Sequence, residues 1–491
     1  MSYNFKLHLI CAIAMAALMF TTVRSVNKER HFWGPEKGYH KYKAFTNILM
    51  LPTYLTTWVV MQAMFNGWAK TCQWLLTTGF GILFSITVYY LVLIPLQAVF
   101  RRHFSARTCA MLWIMPTLLY ICVIGELSEW NRPLLVIPGS SEAVRIAGII
   151  WLVGFLGVML WKIGSHLLFR HQITSTSRKI TDEAILNLWT AEQIAAGMYP
   201  LLPLTPVYSD VVQTPLSIGF IDTTILLVLP DRSYTQDDLK LIFQHEIIHI
   251  QRKDAQTKLF MAFCAALCWF NPFMWKSLQT CTSDLELSCD ETLLADADEA
   301  TRHHYGQLLL HTAGDSRGFT TCLSASAESM RYRLKHVMMP HTGLRRGSFI
   351  MALIAFLLVM SVGFVSLSYE QLPVGQVLAS KTWAPGITAE SPVLYSVQGY
   401  GDCQITDAEA LHQYIQSIEV HKITGYYRFD LPDEYLCVPY VTERGKEFKV
   451  YLTEDSLLIN RYDFSDMYRE SYYITQDIDW DYIESLLEPL S

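Results

Sequence analysis

Hydrophobic positions along the chain gather into six long runs, at about 7–23, 46–65, 73–98, 108–125, 144–169 and 348–368, with polar segments between them. A helix needs about 20 mostly uncharged residues to cross a bilayer while satisfying its backbone internally, so each run reads as a span. The first could instead be a signal peptide. Against that, only Lys6 precedes it, no small-x-small cleavage site follows, and six Lys/Arg lie between Arg24 and Lys43.

Elsewhere the period changes. Residues 206–230, PVYSDVVQTPLSIGFIDTTILLVLP, carry β-branched runs broken by Pro and Gly, as short strands do. After Pro230, Leu239, Ile242, Phe243, Ile247 and Ile250 form a stripe of helical period, with Thr235 or Asp237 as its cap. Near the C-terminus, DAEALHQYIQSIEV (407–420) has amphipathic helical spacing and DIDWDYIESLL (477–487) reads as a last helix. Between them, residues 436–462 read as strands broken at Gly445 and at Glu454-Asp455.

Charge orients the spans, because cytoplasmic loops retain Lys and Arg. The basic segments are 24–45, the turn with Arg101, Arg102 and Arg107, and the flanks of 170–347 (Arg170, Arg178, Lys179; Arg345, Arg346). The alternate loops hold only Lys70 and Arg132. The N-terminus and residues 369–491 are therefore expected outside, with 170–347 in the cytoplasm. The tail fits this, with 8 Lys/Arg against 21 Asp/Glu, a net −13 in a chain whose total is −7. No basic and aromatic cluster marks a nucleic-acid footprint, so direct nucleic-acid binding is not expected. Of 11 cysteines only Cys403 and Cys437 fall in the tail, where they could form one disulfide or stand as two buried thiols.

Together with His245-Glu246-Ile247-Ile248-His249, which has the zinc-peptidase spacing H-E-x-x-H on the stripe helix, these patterns predict a multi-pass α-helical membrane protein with a cytoplasmic α+β zincin-like metallopeptidase domain and a small extracellular α+β domain. The expected divisions are 1–72 with two N-terminal spans, 73–169 with three more, the cytoplasmic segment 170–347, a last span at 348–368 and the external tail 369–491.

The chemistry rests on LKLIFQHEIIHIQRKDAQ (239–256), where His245-Glu246-Ile247-Ile248-His249 has the spacing H-E-x-x-H. Four residues apart on a helix, two imidazoles project from one face and can share a zinc ion, with Glu246 placed as general base. A catalytic zinc wants a third protein ligand from a second element. TCTSDLELSCDETLLADAD (280–298) offers Glu286 as that ligand and Asp290, four residues on, as the carboxylate holding a ligand histidine by its distal N–H. Cys289, Asp284 and Glu291 are alternatives. LFMAFCAALCWFNPFMW (259–275) is nearly a seventh span, but Asn271-Pro272 interrupts it. It reads as a buried or shallow re-entrant hairpin that holds the metal site near the membrane surface.

HEIIHIQRKD, WFNPFMW, DLELSCDE, HYGQLLL and SMRYRLKHVM, in that order, resemble the zinc-peptidase module of the β-lactam-sensor/antirepressor family of membrane metallopeptidases, over roughly residues 73–370. The resemblance implies that His245, His249 and Glu286 bind one zinc, that Glu246 is the catalytic base and that Asp290 supports the ligands. It further implies a cytoplasmic peptidase controlled by an external sensor, a DNA-binding repressor as usual target, and self-cleavage on activation. The chain departs from that pattern in two ways. Residues 369–491 contain no Ser-x-x-Lys, which disfavours a covalent β-lactam sensor, and the runs at 7–23 and 46–65 precede the part that aligns. The expected partners are a cytoplasmic protein substrate, an unidentified external ligand and the bilayer; a homodimer is one option for an oligomeric state the sequence leaves open. A constitutive quality-control or processing peptidase and a non-catalytic receptor or scaffold are the rival readings.

Overall fold

The computed structural model describes residues 3–28, 50–123, 134–198, 206–219, 225–312, 327–339, 347–379, 388–389, 393–395, 402–422, 435–441, 447–462 and 467–489. Most of the basic segment 24–45, together with Arg132, Arg345, Arg346 and Gly445, lies outside these residues.

Helices α1 (Tyr3–Lys28), α2 (Met50–Asn66) and α3 (Trp68–His103) lead the chain. α4 (Ala106–Ile114) begins at Ser105, whose hydroxyl accepts the Thr108 N–H, and tightens into a 3-10 turn at Met115–Val123. Strand β1 (Leu135–Ile137) precedes α5 (Ser141–Thr176), capped by Ser140. Among the described residues two helices are long and apolar enough to cross a membrane, Thr71–His103 and Ser141–Thr176. At 1.5 Å per residue the first is about 50 Å long, more than the roughly 30 Å hydrocarbon core.

The next segment carries a four-stranded sheet and the helices around it. β2 (Arg178–Lys179), β3 (Val207–Tyr208), β4 (Leu216–Ile218) and β5 (Leu226–Leu229) are ordered β2-β3-β5-β4, with β3 and β5 parallel. α6 (Glu183–Ala195) and α7 (Gln236–Arg252) pack beside it, with Trp189 edge-on to Phe243. α7 opens with a capping box in which the Thr235 hydroxyl accepts the Asp238 N–H and the Asp238 carboxylate accepts the Thr235 N–H. Its stripe of Leu239, Ile242, Phe243, Ile247 and Ile250 is buried in one core.

Lys253, at φ 57°, ψ 40°, ends α7 and turns the chain into α8 (Asp254–Leu267). Pro272, in the first turn, opens α9 (Pro272–Leu293), with the Asn271 side chain accepting the Phe273 N–H. α8 and α9 thus form a hairpin. Its tip is tied on two sides: Asn271 Nδ2 donates to Thr87 Oγ1 at 2.8 Å, and Trp151 Nε1 donates to the Leu267 carbonyl at 2.8 Å. Thr87 is the midpoint of Thr71–His103, so the tip reaches deeper along α3 than a shallow hairpin would. Further along, Asp284 on α9 accepts from Arg101 Nε at 2.8 Å and from Trp113 Nε1 at 2.9 Å, so α9 runs beside the second half of α3. α10 (Glu299–Thr312) and α11 (Ala327–Met338) cover the open side.

α12 (Ser348–Met360) is shorter than the run 348–368, because Gly363, at φ 87°, turns the chain into β6 (Val365–Leu367). β6 pairs in parallel with β1 in the register Leu135↔Val365, Val136↔Ser366, Ile137↔Leu367. The Ser141 hydroxyl extends this clasp by donating to the Tyr369 carbonyl at 3.0 Å. Met19 and Val23 of α1 share a core with Met351 and Ala355 of α12.

The described residues of the tail form a long antiparallel sheet with three short helices. Its elements are β7 (Glu370–Pro373), α13 (Val374–Ala379), β8 (Thr388–Ala389), β9 (Val393–Tyr395), β10 (Asp402–Ile405), α14 (Ala408–Ser417), β11 (Glu419–Lys422), β12 (Leu436–Val441), β13 (Glu447–Leu452), β14 (Ser456–Tyr462), β15 (Met467–Ile474), α15 (Trp480–Ser485) and β16 (Leu487–Pro489). The sheet order is β16-β10-β9-β12-β13-β14-β15-β11-β7, with β8 on β12. The possible Cys403–Cys437 disulfide is not formed. On β9, Cys403 pairs with Val393 and Cys437 with Leu394, and successive strand positions face opposite sides, so the two thiols lie on different faces of the sheet.

Candidate metal centre

One turn apart on α7, His245 and His249 bring their Nε2 atoms to 3.1 Å. The hairpin returns Glu286 to them, with Oε2 at 3.7 Å from His245 Nε2 and 3.5 Å from His249 Nε2. Four-coordinate zinc, bound at 2.0–2.2 Å, needs ligand atoms about 3.4 Å apart, so this triangle fits the ion and leaves one corner for a fourth ligand. His249 and Glu286 are buried, whereas the His245 side chain keeps 12% of its surface exposed, so solvent reaches the group from that side. Glu246 is buried on the same helix.

Each imidazole is gripped at its other nitrogen. His249 Nδ1 lies 2.7 Å from Asp254 Oδ2, and the fully buried carboxylate fixes that nitrogen as the donor. The αL turn at Lys253 sets Asp254 at the start of α8, facing back toward α7. His245 Nδ1 lies 3.1 Å from the Tyr305 hydroxyl, which donates to Asp290 Oδ1 at 2.7 Å. Asp290 itself is 3.5 Å from His245 Nδ1, so the hold anticipated between them runs largely through the phenol. Arg333, from α11, closes this chain by donating through Nε and Nη2 to Asp290, each at 2.8 Å. On the far side of Glu286, Lys258 Nζ donates to Oε1 at 2.9 Å.

The alternative ligands stand elsewhere. Asp284 is held by Arg101 and Trp113, and Glu291 accepts the Ala106 N–H at the start of α4. Cys289 Sγ lies 3.3 Å from His249 Nδ1 and 3.5 Å from Asp254 Oδ2. His249, Asp254 and Cys289 thus form a second cluster of ligand type. An ion there would have to displace the proton shared in the short His249–Asp254 hydrogen bond.

Charge is balanced within this buried group. Burial works to raise the Glu286 carboxyl, yet the Lys258 ammonium and His249 hold it well below the usual carboxylate range. Burial likewise opposes ionisation of Asp254, but the hydrogen bond and charge of His249 together with the charges of Arg252 and Lys258 outweigh it, lowering its pKa. Burial, reinforced by the neighbouring Asp290 carboxylate, pushes the Tyr305 phenol well up, which keeps it a hydroxyl donor.

Sequence reasoning singled out His245, Glu246, His249, Glu286 and Asp290, and the structure gathers them into this one region of the fold. It missed Asp254, Lys258, Tyr305 and Arg333. Asp254 closes the quoted motif HEIIHIQRKD, and its place five residues after a candidate ligand was the available signal.

Two imidazoles and a carboxylate from an H-E-x-x-H helix and a following helix are the donor set of the metallopeptidase class, and here they lie beside helices of membrane-crossing length. Residues 125–337 of the chain match the family described as BlaR1 peptidase M56. Among curated proteins it is similar to the regulatory protein BlaR1 of Bacillus licheniformis, 25% identical over 219 residues, which is 44% of this chain and 35% of that protein. It is also similar to the methicillin resistance mecR1 protein of Staphylococcus aureus, 21% identical over 187 residues, 38% of this chain and 32% of that one. The chain therefore spans about a third of the length of the curated relatives it matches.

Proposed function

We propose that this protein is a membrane-embedded zinc endopeptidase that transduces a signal, with 170–347 facing the cytoplasm, the tail 369–491 facing outward, and a cytoplasmic regulatory protein as substrate. The observation that carries the reading is the convergence of Glu286 Oε2 on the two Nε2 atoms from a separate helix, at 3.5 and 3.7 Å. Lys258 accounts for one oxygen of the buried Glu286, whereas two incidental histidines would not account for the other lying within 3.7 Å of both Nε2 atoms. The BlaR1 and mecR1 names, one regulatory and one tied to drug resistance, support regulation by proteolysis, and a DNA-binding repressor is the kind of substrate the family resemblance implies.

His245, His249 and Glu286 would hold the ion, which when bound supplies a Lewis acid for water and for the scissile carbonyl. Glu246 takes the proton of the attacking water and returns it to the leaving amine. Asp254 and the Tyr305–Asp290–Arg333 chain keep each imidazole with Nδ1–H outward and Nε2 facing the centre. Self-cleavage and the outward stimulus belong to the same proposal. With no Ser-x-x-Lys in 369–491, the tail is read as sensing through a non-covalent ligand.

Comparative proteomics of cells making the wild type or Glu246→Gln tests this. The reading expects a regulatory protein, cleaved in wild-type cells and intact with the variant; identical proteomes would refute it.

A further inference from the structure

Resting on the zinc-peptidase reading, we propose that Lys258 is a positioning residue that keeps Glu286 a one-oxygen ligand, and so keeps the remaining coordination position open for water.

The two oxygens of Glu286 face different groups. Oε2 is the atom within 3.5 and 3.7 Å of the imidazole nitrogens, while Oε1 accepts from Lys258 Nζ at 2.9 Å. Lys258 lies 28 positions earlier, on the other arm of the hairpin, where α8 enters the apolar stretch 259–267. Its side chain keeps 5% of its surface and that of Glu286 keeps 4%, so water does not compete for the bond. An ammonium in such a place is costly unless it meets a countercharge, and the hydrogen bond it then makes is of the strong, charge-assisted kind.

A carboxylate binds zinc through one oxygen or both. With both, it fills the position a hydrolytic site needs for water. Arg333 Nη1, at 3.6 Å from Oε2, leaves Oε1 alone, so the contact described for Oε1 is the one from Lys258. Simple charge neutralisation would be satisfied by a cation at either oxygen; the geometry here divides them.

The test uses the full chain in detergent. Zinc-edge X-ray absorption of the wild type is expected to give four light-atom donors at about 2.0–2.1 Å, and a fifth oxygen at bonding distance would overturn the proposal. This measurement needs no variant that has to fold. Cobalt(II) then serves as a visible probe. Lys258→Met is expected to weaken the intense four-coordinate absorption several-fold as the second oxygen joins the ion, and Lys258→Arg to restore it. An unchanged spectrum in Lys258→Met overturns the role assigned to Lys258. A wild type that binds neither zinc nor cobalt removes the peptidase reading itself, and this is visible before any variant is made.

Discussion

At His249 the ring is held from both ends, by Asp254 at Nδ1 and by the cluster at Nε2, and this grip determines what single substitutions should do. Removing a group that orients a ligand typically lowers metal affinity about 10–100-fold, and we expect Asp254→Asn to do so in a chelator competition assay. Tyr305→Phe should act the same way on His245, since it removes both the hydroxyl beside Nδ1 and the donor to Asp290. Unchanged affinity in both variants would show that neither ring needs its partner. Glu246→Gln is expected to bind zinc as the wild type does and to cleave at least about 100-fold more slowly, the range of general-base contributions. At this scale the H-E-x-x-H residues were legible because their chemistry depends on spacing along one helix. Glu286 was legible only as one of several carboxylates, because choosing it requires knowing how α9 rotates. Tyr305, Arg333 and Lys258 belong to three further helices; Tyr305 and Arg333 fall within HYGQLLL and SMRYRLKHVM, but no spacing along the chain ties any of the three to the H-E-x-x-H helix.

Among elements, the α8–α9 hairpin decides whether a site exists at all, since it brings Glu286 back to α7. Asn271-Pro272 announced its turn, because a side-chain cap followed by Pro is a helix start. Its depth was not announced, for Thr87 and Trp151 reach the tip only through tertiary packing. Close packing around that tip yields a prediction. A Cβ at Gly154 of α5 would run into the Trp269 ring, so Gly154→Ala should destabilise the protein by about 1–3 kcal/mol, read as a lower thermal midpoint in detergent. No loss would mean that α5 and the hairpin are not in close contact. At the other end of the site helix, Thr235→Ala removes the cap of α7 and should cost about 1 kcal/mol in the same assay. In the tail, alternation and turn residues suffice to read β12 to β14, because antiparallel neighbours follow in sequence. The failed disulfide shows the limit: Cys403 and Cys437 sit two strands apart, and which face each thiol takes depends on a register set by β9.

For the whole molecule, hydrophobic runs alone suggested one covalent route from the tail to the peptidase, through 348–368. The structure adds a second attachment, because β6 at the root of the tail pairs with β1 just before α5, and α5 contacts the α8–α9 hairpin through Trp151. The N-terminal α1, whose role the sequence left open, packs along α12. Deleting 370–491 should therefore leave the zinc site occupied but make cleavage either silent or permanent; cleavage unchanged and still responsive to its stimulus would favour a constitutive peptidase. If one ion joins α7 to α9, zinc content per chain, measured side by side for the purified wild type and Glu286→Ala, should be about one in the wild type and close to none in the variant. Full occupancy in Glu286→Ala, or none in the wild type, would contradict this.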